Sequence, residues 1–279
     1  MKHDFGSSSR RFLAAASLLL LLAVAARLGA EPTEQATTAY NSYISQVEAR
    51  LAQKHPTTCV SLVDANLARL RNGELVVEQV SPGTNEKLPG AQLYDWRGTA
   101  FVAGAKPEDF VRLMKAYDAY PRTFSPEMLG ARVVTHEGDH YQVIMRVRQK
   151  HILTAVLDIT YDVTFGRGGS GEDSSGGTVG QCGYVNSRST KIAEIDQAGT
   201  SQERALAPSE DHGYLWRQNN YWSYDVRDGG LYIQIESISL SRSIPAGLSW
   251  AIGSFTKSIP RETLEFTLRS MRNALQKPR

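Results

Sequence analysis

Apolar side chains recur every three or four residues near the two ends of the chain and every second residue through its middle. Tyr40, Tyr43, Ile44, Val47 and Leu51 fall on one face of a helix over 34–54, and His55-Pro56 closes it. A shorter helical pattern over 60–71 stops at Asn72-Gly73. β-rich runs follow at Leu75–Val77 and Gln92–Ala103. Phe110, Val111, Met114 and Tyr117 return to helical spacing, with Pro107 suited to a first turn and Pro121 ending the segment after Tyr120.

Alternation then takes over. Arg132–Glu137 and Tyr141–Gln149 flank a Gly138-Asp139 turn. Tyr141, Val143, Met145 and Val147 share one face there, and Gln142, Arg146 and Arg148 share the other. From Leu153 to Phe165 apolar residues, Leu157 and Tyr161 among them, alternate with Thr154, Asp158, Thr160 and Asp162, the signature of a half-buried antiparallel strand. The Gly- and Ser-rich stretch 166–183 reads as a hairpin loop. Further strands are expected at Tyr184–Asp196, Gly213–Val226 and Leu231–Leu240, the last two joined at Asp228-Gly229-Gly230. Leu248, Ile252, Phe255 and Ile259, then Leu264, Leu268, Met271 and Leu275, predict a long final helix kinked near Pro260, with Ser243 as N-cap and Pro245 in its first turn. The order predicts an α+β protein, a curved antiparallel β-sheet wrapped around a long C-terminal α-helix, with room for a ligand pocket between them.

Composition changes this picture in one place. The 279 residues carry 31 basic and 29 acidic side chains. Lys2, Arg10, Arg11 and Arg27 lie in the first thirty residues with one acid, Asp4. Without that segment 27 basic residues face 28 acidic ones, so no electrostatic attraction to nucleic acid is expected. Arg10-Arg11, the apolar run Phe12–Ala26 and Leu28-Gly29-Ala30 with its small residue at the cleavage point follow the order of a secretory signal, cleaved after Ala30. The expected division is a signal peptide over 1–30, an N-terminal helical segment over 31–73 and a main domain over 74–279. The expected location is periplasmic or secreted. Export permits a disulfide between Cys59 and Cys182, but bonding needs Cα atoms within about 7 Å, and two separate buried thiols are the simpler expectation.

Few residues suggest chemistry. His136-Glu137-Gly138-Asp139-His140 spells the zinc-protease string, but that chemistry needs both histidines on one helical face, and strand–turn–strand explains the stretch without a metal. The glycine-rich segment lacks the Lys-Ser/Thr of a phosphate loop, and there is no Gly-x-Ser-x-Gly turn. No catalytic residue, cofactor or metal is expected. Tyr214, Trp216, Trp222 and Tyr224 share one strand parity, Ile233 and Ile235 share a face of the next strand, and Leu248, Ile252 and Phe255 face them from the final helix. A packed core and a ligand cavity use the same residue types, so both readings stand. Strict alternation puts Glu236 and Arg242 on the opposite, solvent side, with Arg146, Arg148, Asp158 and Asp162 also exposed.

The stretch Leu215–Tyr224, then Gly229–Leu240 running into Ser241-Arg242-Ser243-Ile244-Pro245, resembles the final hairpin and helix of START-like, helix-grip proteins, the polyketide cyclase and lipid-transfer (SRPBCC) superfamily. Gly98–Val102 with the following helix and Tyr120-Pro121 is similar to that family's first strand and helix. The resemblance covers about 90–277 and leaves the N-terminal helical segment unassigned. It implies a cavity under the C-terminal helix for a lipid, quinone or similar hydrophobic or amphipathic molecule, walled by Met145, Leu157, Tyr161, Tyr214, Trp216, Trp222, Tyr224, Ile233, Ile235, Leu248, Ile252 and Phe255. The implied function is binding or transfer in the cell envelope, with transient contact to a membrane surface. A cyclase- or hydrolase-like enzyme using the same cavity, and an interaction protein whose groove is filled by its own side chains, are the alternatives.

Overall fold

The computed structural model describes residues 31–80, 88, 90–150, 154–169, 182–243 and 249–276; for 150 and 249–258 it describes the backbone only. The signal peptide, most of the glycine-rich loop, and the Pro245 start of the final helix therefore lie outside the described residues.

Among the described residues nine strands form one antiparallel sheet: β1 (Val76–Gln79), β2 (Ala91–Ala103), β3 (Met128–Glu137), β4 (His140–Lys150), β5 (Thr154–Gly168), β6 (Cys182–Asp196), β7 (Arg204–Ala205), β8 (Arg217–Arg227) and β9 (Gly230–Arg242). Their order is β1-β2-β9-β8-β6-β5-β4-β3, with β7 paired to β6. Two turns expected from sequence have the required geometry. Asp228 and Gly229 take φ of 55° and 74° between β8 and β9, as a two-residue hairpin demands. Gly138 takes φ 58° between β3 and β4, where Glu137 pairs with His140. His136 and His140 therefore lie on two strands, and the helical geometry of a zinc-protease motif is absent.

The inner face of the sheet carries α5 (Ser249–Gln276) with α3 (Pro107–Lys115), a 3₁₀ turn (Tyr117–Ala119) and α4 (Tyr120–Thr123). The sequence predicts one helix from Pro107 to Tyr120, but the α-helix stops at Lys115. Tyr120, fully buried, turns its hydroxyl back to donate to the Met114 carbonyl at 2.7 Å, satisfying an acceptor the broken helix leaves open. Pro121 sits in the first turn of α4 instead of ending a helix, since the first turn does not need its missing N–H. The result is an antiparallel sheet gripping a long C-terminal helix, the helix-grip α+β fold.

The outer face is covered too, by α1 (Glu34–Lys54) and α2 (Asp64–Arg71). Ala36, Tyr40, Ile44 and Val47 of α1 pack on Trp216, Tyr221, Ile238 and Leu240, while Leu67 and Leu70 of α2 pack on Phe101 and Tyr232. Glu236 does face away from Ile233 and Ile235, as alternation requires, but it is buried beneath α1 and not in solvent. It pairs with Arg50 of α1 and with Arg97 of β2, the latter at 2.8 Å. The apolar stripe of α1 was readable without its partner, and that partner is the face expected to be wet.

Cys59 and Cys182 are bonded, their Cα atoms 5.7 Å apart, which corrects the expectation of separate thiols. The bridge ties the connection between α1 and α2 to the first residue of β6. Beside it Asp225 accepts from the Cys59 N–H at 2.9 Å and from the Thr58 hydroxyl.

Candidate functional site

Between the inner face of the sheet and α5 lies a cavity of about 730 Å³. Met114, Tyr117, Tyr120 and Phe124 wall it on one side, and Ile259, Leu264 and Met271 of α5 roof it. A groove filled by its own side chains does not describe this space, which is within the size range of small-molecule sites.

Of the residues expected to line it, Met145, Tyr161, Tyr214, Trp222 and Ile235 do so. Leu157, Tyr224 and Ile233 point to the same face but are packed into the inner core instead. Phe110 of α3 fills the space over Tyr224, with ring centroids 5.1 Å apart. Trp216 belongs to the outer core under α1. It precedes the first residue of β8, so strand parity does not extend to it. Leu248 and the side chains of Ile252 and Phe255 lie outside the described residues. Arg148 and Arg242, expected in solvent, are half-buried residues of the cavity lining at strand ends. Arg146 and Asp158 keep their expected face and pair across β4 and β5 at 2.7 Å.

Sequence reasoning missed the polar part of the wall. After Ile235, β9 continues its inward parity with Ser237, Ser239 and Ser241, and all three line the cavity with Gln92, Gln218 and Asn220. The signal was the same alternation that placed Ile233 and Ile235, but it was read only for apolar residues. Ser237 donates to Asn220 Oδ1 at 2.7 Å, and the Tyr161 hydroxyl donates to Gln218 Oε1 at 2.9 Å. Burial holds the Tyr161 phenol well above its usual range, so it stays protonated and able to donate.

A second missed feature is His212, an exposed residue of the lining. Its Nδ1 lies 2.9 Å from Glu194 Oε1, and its backbone N–H donates to the other Glu194 oxygen at 3.1 Å. A carboxylate that accepts a hydrogen bond from Nδ1–H leaves Nε2 as the nitrogen with a free lone pair. Glu194 is buried on β6, so a strand fixes the imidazole from behind.

An open antiparallel sheet, a long helix laid along one face and a cavity between them define a helix-grip fold. In solved structures the chain is similar to a STAR-related lipid transfer protein fragment from Xanthomonas axonopodis, at 14% identity over 73% of this chain and 99% of that one, with TM-score 0.41. It is similar also to a START superfamily protein from Mycobacterium smegmatis (12%, 67% and 95%, TM-score 0.38) and to human STARD10 (7%, 78% and 81%, TM-score 0.41). No protein-family model and no curated protein matches the sequence.

Proposed function

We propose that the protein binds an amphipathic small molecule in this cavity and holds or transfers it outside the cytoplasm. The carrying observation is the composition of the wall: a partly open apolar and aromatic space with one polar strip along β9 and β8. Such a wall orients a molecule that has both an apolar body and oxygen-bearing groups. The secretory pattern of residues 1–30 and the Cys59–Cys182 bond both support an exported location. Among the described residues no helix is long and apolar enough to cross a membrane.

The test is native mass spectrometry with organic extraction of the protein purified from its own envelope fraction. A stoichiometric co-purifying molecule is expected, lipid, quinone or terpenoid in class. An empty protein that also takes up no fluorescent lipid probe overturns the proposal. The His212–Glu194 pair favours a second reading, in which the bound molecule also undergoes proton transfer at the cavity wall. Under that reading the extracted ligand changes mass or isomer on incubation with the wild-type protein and not with His212→Ala.

A further inference from the structure

The polar strip is a ladder with a regular geometry. In the strand register Trp96 of β2 faces Ser237 of β9, which faces Asn220 of β8; Tyr94 faces Ser239, which faces Gln218; and Gln92 faces Ser241. All of these side chains line the cavity. Successive rungs are two residues apart, so hydrogen-bonding groups repeat about every 6.8 Å along the strands.

The rungs differ in how far the protein satisfies them. The innermost is bonded internally, with Ser237 donating to Asn220 Oδ1 at 2.7 Å and Asn220 Nδ2 donating to the Tyr161 hydroxyl at 3.4 Å. The indole N–H of Trp96 on that rung is buried with no partner among the described residues. The Ser239 and Ser241 hydroxyls likewise have no hydrogen-bond partner among the described residues, although both residues are half-buried. Hydroxyls left unpaired beside an alkyl chain would carry a desolvation penalty; oxygens on a ligand would remove it. Charge is absent from the inner part of this wall. Glu127, Arg148, His212, Arg242 and Glu262 line the cavity as half-buried or exposed residues, and no buried lining residue is ionisable apart from the protonated tyrosines. An ionised head group held on the inner rungs, away from Arg242 at the strand end, would therefore have no buried countercharge.

Resting on the binding reading above, we infer that the cavity selects a neutral, rigid amphipath with several hydroxyl or carbonyl oxygens along one edge, over an ionised or single-headed acyl lipid. The fixed spacing of the rungs rewards a stiff frame, because a flexible chain loses more freedom when its oxygens are held at set intervals.

The test titrates the full chain with 5β-cholestane, its 3-ol, its 3,7,12-triol and palmitate, following the fluorescence of Trp96 and Trp222 in the cavity wall. The triol is expected to bind about tenfold more tightly than the 3-ol, as one or two additional net hydrogen bonds provide, and palmitate more weakly than either. In the Ser239→Ala/Ser241→Ala double variant, with folding checked by its melting temperature, the ratio of triol to 3-ol affinity should fall toward one. A 3-ol that binds as tightly as the triol, palmitate that outcompetes both, or a double variant that keeps the wild-type preference overturns the inference while leaving the binding reading intact. Binding of none of the four, together with a protein that carries nothing from its envelope, removes both.

Discussion

Asp95 occupies an environment that opposes the ionisation of its carboxyl group. It sits on β2 beneath α1, accepts from the Tyr43 hydroxyl at 2.6 Å, and has its other oxygen buried without a partner among the described residues. Burial, then the neighbouring Glu236 carboxylate, pushes its pKa up to about 7, with Arg97 and Arg50 opposing the shift. Lys54, at the end of α1, has its own pKa lowered by the same burial and by those two arginines. The folded protein thus holds the Asp95 proton more tightly than the unfolded chain does. Its stabilising effect is complete below the ordinary carboxylate range and is lost as pH rises through about 7. Melting temperatures should fall between pH 5 and pH 8, and Asp95→Asn should flatten that slope and raise stability at pH 8. An unchanged slope in the variant would assign the pH dependence to another group. None of this was legible from sequence, because alternation reports which face a residue occupies and not what covers that face.

At the scale of elements, what is local was readable and what is tertiary was not. The strands and their turns follow from period-two alternation and from residues able to take positive φ, as at Gly138 and Gly229. The early stop of α3 was hidden, because Phe110, Met114 and Tyr117 keep helical spacing across it while the backbone at Ala116 leaves the helix at φ −85°, ψ 60°. Trp216 was misplaced for the related reason that parity was extended past a strand end. Gly98 shows how closely α5 is held. A Cβ at that position on β2 would stand 2.3 Å from Leu268 Cδ1 and 3.2 Å from Leu264, and both leucines are buried. Gly98→Ala should cost about 1–3 kcal/mol by overpacking, measured by urea denaturation. Leu268→Ala combined with it should cost less than the two single changes together. Strict additivity would mean that α5 is not pressed against Gly98.

At the scale of the whole molecule the structure has three layers, and the N-terminal helices are one of them. Polar contacts and a covalent bond add to apolar packing in holding α1 in place: Arg50 pairs with buried Glu236, Tyr43 with Asp95 and Glu48 with Arg188 and Tyr221, and the Cys59–Cys182 bond ties the segment after α1 across 123 positions of sequence. A loop of that length makes the bond worth about 2–5 kcal/mol through the unfolded chain. Reduction with dithiothreitol, or Cys59→Ser/Cys182→Ser, should lower the free energy of urea unfolding by about that amount. Hydrogen exchange should quicken first in α1 and α2. If exchange quickens in β6 and leaves α1 protected, the bond braces the sheet and not the helix.

The outer layer also sets a clock on synthesis. α1 leaves the ribosome well before the strands it packs on: the Ile238 carbonyl that receives the Tyr40 hydroxyl is made 198 residues later, roughly 10–40 s at ordinary elongation rates. β2 faces a similar wait for β9, its partner over thirteen residue pairs. Until then the apolar stripe of α1 and its Arg50 lack the partners they have in the fold. The nascent chain cannot complete either face of its sheet, and the native state is reached only after the last strand and helix are released. Such dominance of distant pairings marks a slow folder that benefits from being kept unfolded while it is made.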